Sequence, residues 1–247
     1  MEAINRLTLA ELRSEDVFTF KVAMCDNDVD RDFEAFTLDA LKDLKDMFVG
    51  KTVVKDHDHR SDNQIARIYE TELVETGEKT KTGEKLVQLV AKCYMVKTAG
   101  NEGIIAEIKG GIKKEVSVGC SIKSAICSVC GTDNAMKGCA HWHGQTYDGM
   151  ECYFMLDDAA DAYELSFVAV PAQRKAGTTK SYIEKAEEPE DEEDKPEDKP
   201  AEEPEEEPEE EPEGEPEDEP EDEDKKKALE LRMKMNDNFV FLKKRKG

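Results

Sequence analysis

Two histidines, His57 and His59, lie in an Asp-His-Asp-His stretch that is separated by one lysine from a short Thr-Val-Val run. They are the only histidines outside a cysteine-rich segment further along the chain, so histidine-based catalysis must use one of them. An imidazole acts as a general base when it lies near a nucleophile and a third group fixes its tautomer. A metal site is the alternative interpretation, but no further histidine outside the cysteine-rich segment completes a ligand shell.

Ser117 is a candidate nucleophile. It stands in the alternating run Glu-Val-Ser-Val-Gly-Cys at 115–120, and Gly119 follows two residues later. A glycine at this place would let a backbone N–H approach the oxyanion of a reaction intermediate. Serines beside glycines are common in exposed strands, so this pair alone also fits a structural role.

Four of the seven cysteines crowd into one segment with the spacing C-x2-C-x8-C-x12-C, namely Cys127, Cys130, Cys139 and Cys152. An odd number of cysteines in a protein made in a cytosol argues against a disulfide framework. The Cys-x2-Cys pair is followed by Gly131, and two thiolates on such a tight turn typically bind one zinc ion. The segment therefore predicts a structural metal site that holds an insertion of about 25 residues in place.

The ligand set of this site is predicted as three cysteines and one further residue. Cys127, Cys130 and Cys139 are the three, and the fourth is either His141 or Cys152, with His143 as a further candidate. A tetrahedral shell of this kind is typical of structural zinc.

The acidic run at 26–32 resembles the start of a calcium-binding loop. An EF-hand loop needs glycine at its sixth position and glutamate at its twelfth, and this chain has Arg31 and Thr37 there. We expect a polar loop before a helix.

The charge of the chain is concentrated in one segment. Residues 187–224 hold 26 acidic residues and two lysines, and eight of the nine prolines, which recur every fourth residue from Pro196. The remaining residues carry 33 acidic and 33 basic side chains, so the body is neutral. Alternating acidic runs and prolines predict a disordered linker, and the lysine-rich, partly apolar residues 225–247 predict a short basic amphipathic helix.

The body shows the periodicities of a sheet with a few helices. Alternation predicts strands near 17–23, 51–55, 65–74, 86–96, 115–126 and 163–170, and helical spacing predicts helices near 36–48 and 103–108. No apolar run is long enough to span a bilayer and the N-terminus lacks a signal-peptide pattern, so we expect a soluble protein made in a cytosol. Hairpins with few helices favour a small barrel or curled sheet.

Three segments, taken in order, resemble the prohead protease family of tailed phages. They are Asp-His-Asp after a buried strand, Val-Ser-Val-Gly roughly sixty residues later, and Tyr-Glu-Leu-Ser-Phe-Val-Ala-Val-Pro-Ala at 163–172. The resemblance covers roughly residues 17–180. These serine proteases share a β-barrel fold with the herpesvirus assemblin proteases. The resemblance therefore implies a mainly β (α+β) protease domain at 1–186, built on a small β-barrel, with the metal-binding insertion at about 127–152.

The same resemblance implies a role for each of three residues. His57 matches the catalytic histidine, Ser117 the nucleophile and Glu164 the acidic third member. His59 stays an alternative base, because this chain has Ile65-Ala66 where the family usually has Ile-Gly. The implied activity is cleavage of scaffold, and of the enzyme itself, inside the assembling prohead in the host cytoplasm. The implied partners are scaffold and major capsid proteins, with self-association possible, no membrane and no cofactor for catalysis.

Two other functions fit parts of the sequence. A catalytically silent module could use the same domain, with its structural zinc, to recruit capsid or scaffold subunits, but such a module would be expected to lose one of the three candidate residues. A nucleic-acid-binding zinc protein is disfavoured, because the neutral body and the acidic segment would not attract phosphate.

Overall fold

The computed structural model describes residues 1–179. The predicted acidic linker at 187–224 and the predicted basic helix at 225–247 lie outside the described residues. None of the helices within 1–179 is both long and apolar enough to cross a membrane.

The described residues form ten strands and three α-helices. The helices are α1 (Glu2–Asn5), α2 (Leu38–Met47) and α3 (Glu102–Lys109). The strands are β1 (Val17–Asp26), β2 (Glu34–Phe36), β3 (Thr52–Lys55), β4 (Ala66–Lys79), β5 (Lys85–Val96), β6 (Val116–Cys127), β7 (Thr146–Tyr147), β8 (Met150–Glu151), β9 (Phe154–Phe167) and β10 (Gly177–Thr178). The prediction of a mainly β domain with few helices is confirmed.

Eight strands form one sheet in the order β10-β1-β5-β4-β3-β9-β2, and β6 pairs with β9 beside this path. The sheet does not close into a barrel, which differs from the expected small β-barrel. An isolated bridge joins Glu115, just before β6, to Gly177 of β10, and Thr178 N donates to Lys114 O at 2.9 Å. These contacts do not extend into a ladder that would close the barrel, because β10 has only two residues and cannot form a ladder on each of its edges.

Helix α2 packs its apolar face against the sheet. Thr37 caps its first turn by accepting a hydrogen bond from Ala40 N, and the helix lies within the range predicted at 36–48. Leu41, Leu44 and Phe48 are fully buried in the main core. Burying three large side chains from one helix face stabilises the domain by several kcal/mol, at about 1.5–3 kcal/mol each, so α2 supports the sheet from one side.

Strand β9 is the element that organises the site. Its C-terminal half pairs with β3 on one edge and with β6 on the other, and its N-terminal half pairs with β2 and β6. Leu165 and Phe167 face the core, whereas Glu164 and Ser166 face the other side. The last predicted strand, at 163–170, overlaps only the end of β9, which begins nine residues earlier, at Phe154, and ends at Phe167.

Candidate functional site

His57 stands in a strained turn at the end of β3. Both Asp56 and His57 have left-handed backbone conformations, with φ of 54° and 52°. Such conformations cost non-glycine residues about 1–2 kcal/mol each, and surrounding contacts must hold them. Asp56 N donates to Phe167 O at 2.9 Å, and the Asn63 side-chain amide donates to Lys55 O at 2.8 Å. The turn therefore aims the His57 side chain back over β9.

Ser166 of β9 holds this turn in place through a hydrogen bond. Its side chain is fully buried, and its Oγ accepts a hydrogen bond of 2.8 Å from His57 N. No sequence motif indicated this role, because a serine in an apolar strand is indistinguishable from many others. The alternation of β9 was the available clue, since Ser166 and Glu164 are two residues apart and share one face.

Glu164 is a buried carboxylate that orients the imidazole. Its exposure is 2%, and its Oε1 lies 2.8 Å from His57 Nδ1. A carboxylate only accepts hydrogen bonds, so Nδ1–H of His57 donates and Nε2 is left without a proton in the neutral ring. The hydrogen bond to Glu164 raises the pKa of His57 above its ordinary value of 6.5, partial burial opposes this, and the charges of Glu164 and Asp56 add to the rise. This is the arrangement of an oriented general base.

Ser117 lies one strand away from these two residues. In the antiparallel ladder between β6 and β9, Ser117 pairs with Ser166 and Gly119 pairs with Glu164. Directly opposed residues of an antiparallel pair project from the same face and have Cα atoms about 4.5–5.5 Å apart. The predicted nucleophile, base and acidic residue thus share one face of β3, β9 and β6, with Ser117 next to the residue that anchors His57.

Gly119 has a steric role that the sequence did not indicate. A Cβ at this position would overlap with Glu164 Oε1 and lie 3.1 Å from Glu164 Cδ. The glycine therefore makes room for the buried carboxylate. An oxyanion-binding role for this backbone stays a prediction.

His59, the alternative base, lies at the rim of the same site. Its Nε2 is 3.8 Å from Glu164 Oε1, and its side chain is 63% exposed, against 43% for His57. The shorter contact and the more enclosed ring favour His57 as the residue that Glu164 orients.

The cysteine-rich insertion forms a second cluster. Cys127, Cys130, Cys139 and His141 each offer a ligand atom, and these four atoms lie within 4.8 Å of one another. In a tetrahedral thiolate site with bonds of about 2.3 Å, ligand atoms are separated by about 3.8 Å, so the cluster has the dimensions of a metal site. Gly131, with φ of 71°, forms the turn after Cys130, and its N–H donates to Cys127 O at 2.8 Å. This Cys3His cluster could bind a metal ion.

Two other predicted ligands have different surroundings. His143 Nδ1 lies 2.8 Å from Asp32 O, and its ring stacks on Phe154 with centroids 5.2 Å apart, so it ties the insertion to the loop before β2. Cys152 is buried with its Sγ 3.8 Å from that of Cys127, but it does not belong to the group of four. The geometry thus favours His141 over His143 and Cys152 as the fourth ligand.

The loop before β2 is not a cation site of the EF-hand kind. Asp30 Oδ1 accepts hydrogen bonds from Asp32 N at 2.8 Å and from Glu34 N at 3.0 Å, which turns its carboxylate toward its own backbone. The expected polar loop is present, but the short strand β2 separates it from α2.

Comparisons of the chain with protein-family models, with curated proteins and with solved structures find no match. The function of the protein must therefore be inferred from its own sequence and geometry.

Proposed function

We propose that this protein is a serine endopeptidase of the prohead-maturation type, which cleaves scaffold and itself within an assembling capsid. The observation that carries the chemical part is the 2.8 Å contact between His57 and buried Glu164, on the face that also carries Ser117. The strained backbone at His57 supports it, because strain of this kind persists where surrounding contacts over-determine a conformation, and such residues cluster at active sites.

Catalysis would follow the acyl-enzyme route. Ser117 Oγ attacks the carbonyl carbon of a peptide bond while His57 Nε2 takes the hydroxyl proton, and the same nitrogen returns it to the leaving amine. Water then attacks the acyl-enzyme with His57 again as the base, which releases the acid product and restores Ser117. Glu164 keeps Nδ1 protonated and stabilises the imidazolium that forms in each step.

The biological part of the proposal comes from the resemblance of three sequence segments to prohead proteases. Scaffold and major capsid proteins would be the partners, and the host cytoplasm, inside the prohead, would be the place of action. An enzyme packed together with its substrate at high local concentration needs little intrinsic affinity.

The Cys3His cluster is proposed as a structural zinc site. Three thiolates and one imidazole are a common tetrahedral shell for structural zinc, and four protein ligands leave no open position for substrate. Zinc would hold the insertion between β6 and β9, the two strands that carry Ser117 and Glu164. It would stabilise the site without taking part in the reaction.

The test is intact-mass spectrometry of the full chain during incubation, together with labelling by a fluorophosphonate, a reagent for activated serines. We expect self-trimming and labelling of the native protein at Ser117, and neither in Ser117→Ala. Ser121→Ala is the matched control, because Ser121 lies on the same strand and, like Ser117, is partly buried. Trimming of Ser117→Ala at the native rate, or a native protein that neither trims nor reacts, would overturn the proposal.

A further inference from the structure

The face of the sheet that carries Glu164 continues onto β3 and β4. Thr52 of β3 pairs with Glu164, and Arg67 of β4 pairs with Thr52. Gly119 of β6 pairs with Glu164 on its other side. These four residues form one row across four strands, on the face opposite the core. A cavity of about 310 Å³ lies along this row, and Arg67, Thr52 and Glu164 are among the residues that line it. We call it the basic cavity.

The charge of the basic cavity is mainly positive. Lys51, Arg60 and Arg67 are cations, whereas Glu164 is the one acid among the lining residues and is already bound to His57. A concave site lined mainly by one sign of charge concentrates ligands of the opposite sign. The cavity therefore suits a carboxylate.

Two of the three cations have partners that a ligand can replace. Lys51 contacts Asp161 at 3.3 Å and Arg60 contacts Asp62 at 3.0 Å, and in each pair at least one side chain is more than half exposed. Exposed ion pairs of this kind contribute little to stability, so a competing carboxylate can take the place of the partner.

Arg67 donates only to neutral acceptors within residues 1–179. Its guanidinium donates to Gly50 O at 2.8 Å and to Gln64 Oε1 at 3.3 Å. These contacts hold the side chain in place without neutralising its charge. A planar guanidinium has five N–H donors in a fork that matches the two oxygens of a carboxylate.

Two buried polar atoms of the lining residues have no hydrogen-bond partner within the described part of the chain, namely Thr52 Oγ1 and Glu164 Oε2. A hydroxyl can donate, whereas an ionised carboxylate only accepts. Buried polar groups without partners are costly, so a ligand that supplies both kinds of partner is favoured. A peptide does this, because an acidic side chain can accept from the hydroxyl and a backbone N–H can donate to the carboxylate. A simple anion such as sulfate offers acceptors only.

We propose that the basic cavity is a specificity pocket, which binds the carboxylate of an aspartate or glutamate side chain in an extended peptide substrate. Arg67 and Thr52 donate to this carboxylate, and Lys51 and Arg60 add electrostatic attraction. The inference rests on the proposed function, because it assigns a preference among peptides to the proposed protease.

The place of the acidic residue in the substrate follows from the width of the sheet. Ser117 is on β6 and Arg67 is on β4, and β9 and β3 lie between them. Three strand spacings of about 4.8 Å separate the outer two strands by roughly 14 Å, and an extended peptide rises about 3.3 Å per residue. The acidic residue is therefore expected about three to five residues from the bond that Ser117 attacks.

The first arm of the test is digestion of a random-sequence peptide library by the native full chain, with the products sequenced by mass spectrometry. We expect aspartate and glutamate to be enriched at one position about three to five residues from the cleaved bond. Arg67→Gln and Arg60→Gln should each lower this enrichment about threefold or more, because each removes a cation from the cavity. Arg60 is exposed, so Arg60→Gln keeps the test valid if Arg67→Gln does not fold.

Arg13→Gln is the matched control for these variants. Arg13 and Arg60 are both 70% exposed, and each contacts an aspartate close to it in the sequence, but Arg13 lies outside the cavity. Arg13→Gln should leave the enrichment unchanged.

The second arm measures binding without cleavage, in full-length Ser117→Ala protein. The chain has four histidines, and His59 lines the cavity. The probe is the α-amide of N-acetylglutamic acid, and the α-amide of N-acetylglutamine is its uncharged counterpart. In NMR titrations at constant pH we expect the acid, but not the amide, to shift the His59 imidazole signals in a saturable way. The signals of His141 and His143 should stay in place, and His59→Gln provides the assignment.

Several outcomes would refute the inference. They are a library that is cleaved without acidic preference, His59 signals that respond equally to the acid and the amide or to neither, and a response that Arg60→Gln and Arg67→Gln both leave unchanged. A saturable His59 response to the acid alone, in a protein whose native form cleaves no peptide, refutes the protease and supports the carboxylate site. Failure of the inference and failure of the proposed function are thus distinguishable.

Discussion

Gly119 lies directly opposite Glu164 in the β6–β9 ladder, and the carboxylate of Glu164 occupies the space that a side chain at position 119 would take. The Glu164 carboxylate cannot simply move away, because its Oε1 binds His57. One glycine therefore sets the position of the group that orients the proposed base.

Replacement of Gly119 by alanine should reduce activity more than it reduces stability. The added methyl group must displace Glu164, and a misplacement of about 1 Å in a catalytic group costs on the order of 10²-fold in rate. Gly103→Ala is the control, since nothing lies within 4 Å of a Cβ there. Self-trimming rates and melting temperatures of the two variants check this. Equal activity of Gly119→Ala and Gly103→Ala would mean that Glu164 has no positioning role.

His57→Ala should abolish self-trimming, whereas His59→Ala should retain most of it. Loss of a triad histidine costs several powers of ten, and Glu164 contacts His57 at 2.8 Å but His59 at 3.8 Å. Both residues lie in the loop that follows β3 and both are partly exposed, so each variant serves as a folding control for the other. A dead His59→Ala variant beside an active His57→Ala variant would transfer the role of base to His59.

The rate of trimming should rise with pH through a midpoint above 6.5. The base must be neutral, and the hydrogen bond to Glu164 raises the pKa of His57 above that value. Glu164→Gln removes the carboxylate, so the midpoint should move back toward 6.5 while the maximal rate falls. The interaction of protonated His57 with Glu164 also stabilises the folded protein. This contribution is fully present below pH 6.5 and is lost as the pH rises through the raised pKa of His57. A Glu164→Gln profile that coincides with that of the native protein would refute the coupling.

Zinc analysis should find one ion per chain, and single substitutions should identify the ligands. His141→Ala and Cys130→Ser should lose the ion, because each removes one of four mutually close ligand atoms. His143→Ala and Cys152→Ser should retain it, since His143 binds Asp32 O and Cys152 lies outside the group of four. Chelation should make residues 127–152 sensitive to protease while the sheet persists. Protein purified without chelator that holds no zinc would contradict the assignment.

Much of the sheet could be predicted from the sequence, because the strands near the core alternate strongly. The run at 86–96 and the helix around Leu41 and Leu44 are where the periodicities place them. The start of β9 was missed because Asp157, Asp158 and Asp161 interrupt any apolar alternation. Its pairing with β6 over this stretch compensates, which is a tertiary effect that local propensity does not contain.

The candidate site was predictable as residue types but not as a set of contacts. His57 and Glu164 were named from the sequence through its resemblance to a family. The role of Gly119 follows from the register of β6 and β9, which places it opposite Glu164. The role of Ser166 follows from the turn after β3, where His57 N donates to its Oγ. The choice between His57 and His59 depended on a turn in which Asp56 and His57 both have left-handed backbone conformations. Such conformations are uncommon for residues other than glycine, so the sequence did not predict this turn. Barrel closure was expected from the resemblance, and the shortness of β10 prevents it.

Glu34→Gln should stabilise the protein at pH 8 and have no effect near pH 4. The pKa of Glu34 is raised from 4.5 to about 7, mainly by burial and also by the charges of Asp30 and Asp32, while His143 opposes the rise. Between these two values the folded protein holds a proton that the unfolded chain has released, so stability falls as the pH rises from about 4.5 to 7. Glutamine removes the buried charge, and the expected gain at pH 8 is roughly 1–2 kcal/mol, or about 3–6 °C in melting temperature.

Glu11→Gln, at an exposed position, is the control and should leave the melting temperature unchanged at both pH values. Melting curves at pH 4 and pH 8 provide the measurement. A gain that is equal at the two pH values would show that glutamine improves packing rather than removing a charge, and a loss at pH 8 would show that the Glu34 carboxylate is stabilised by its surroundings.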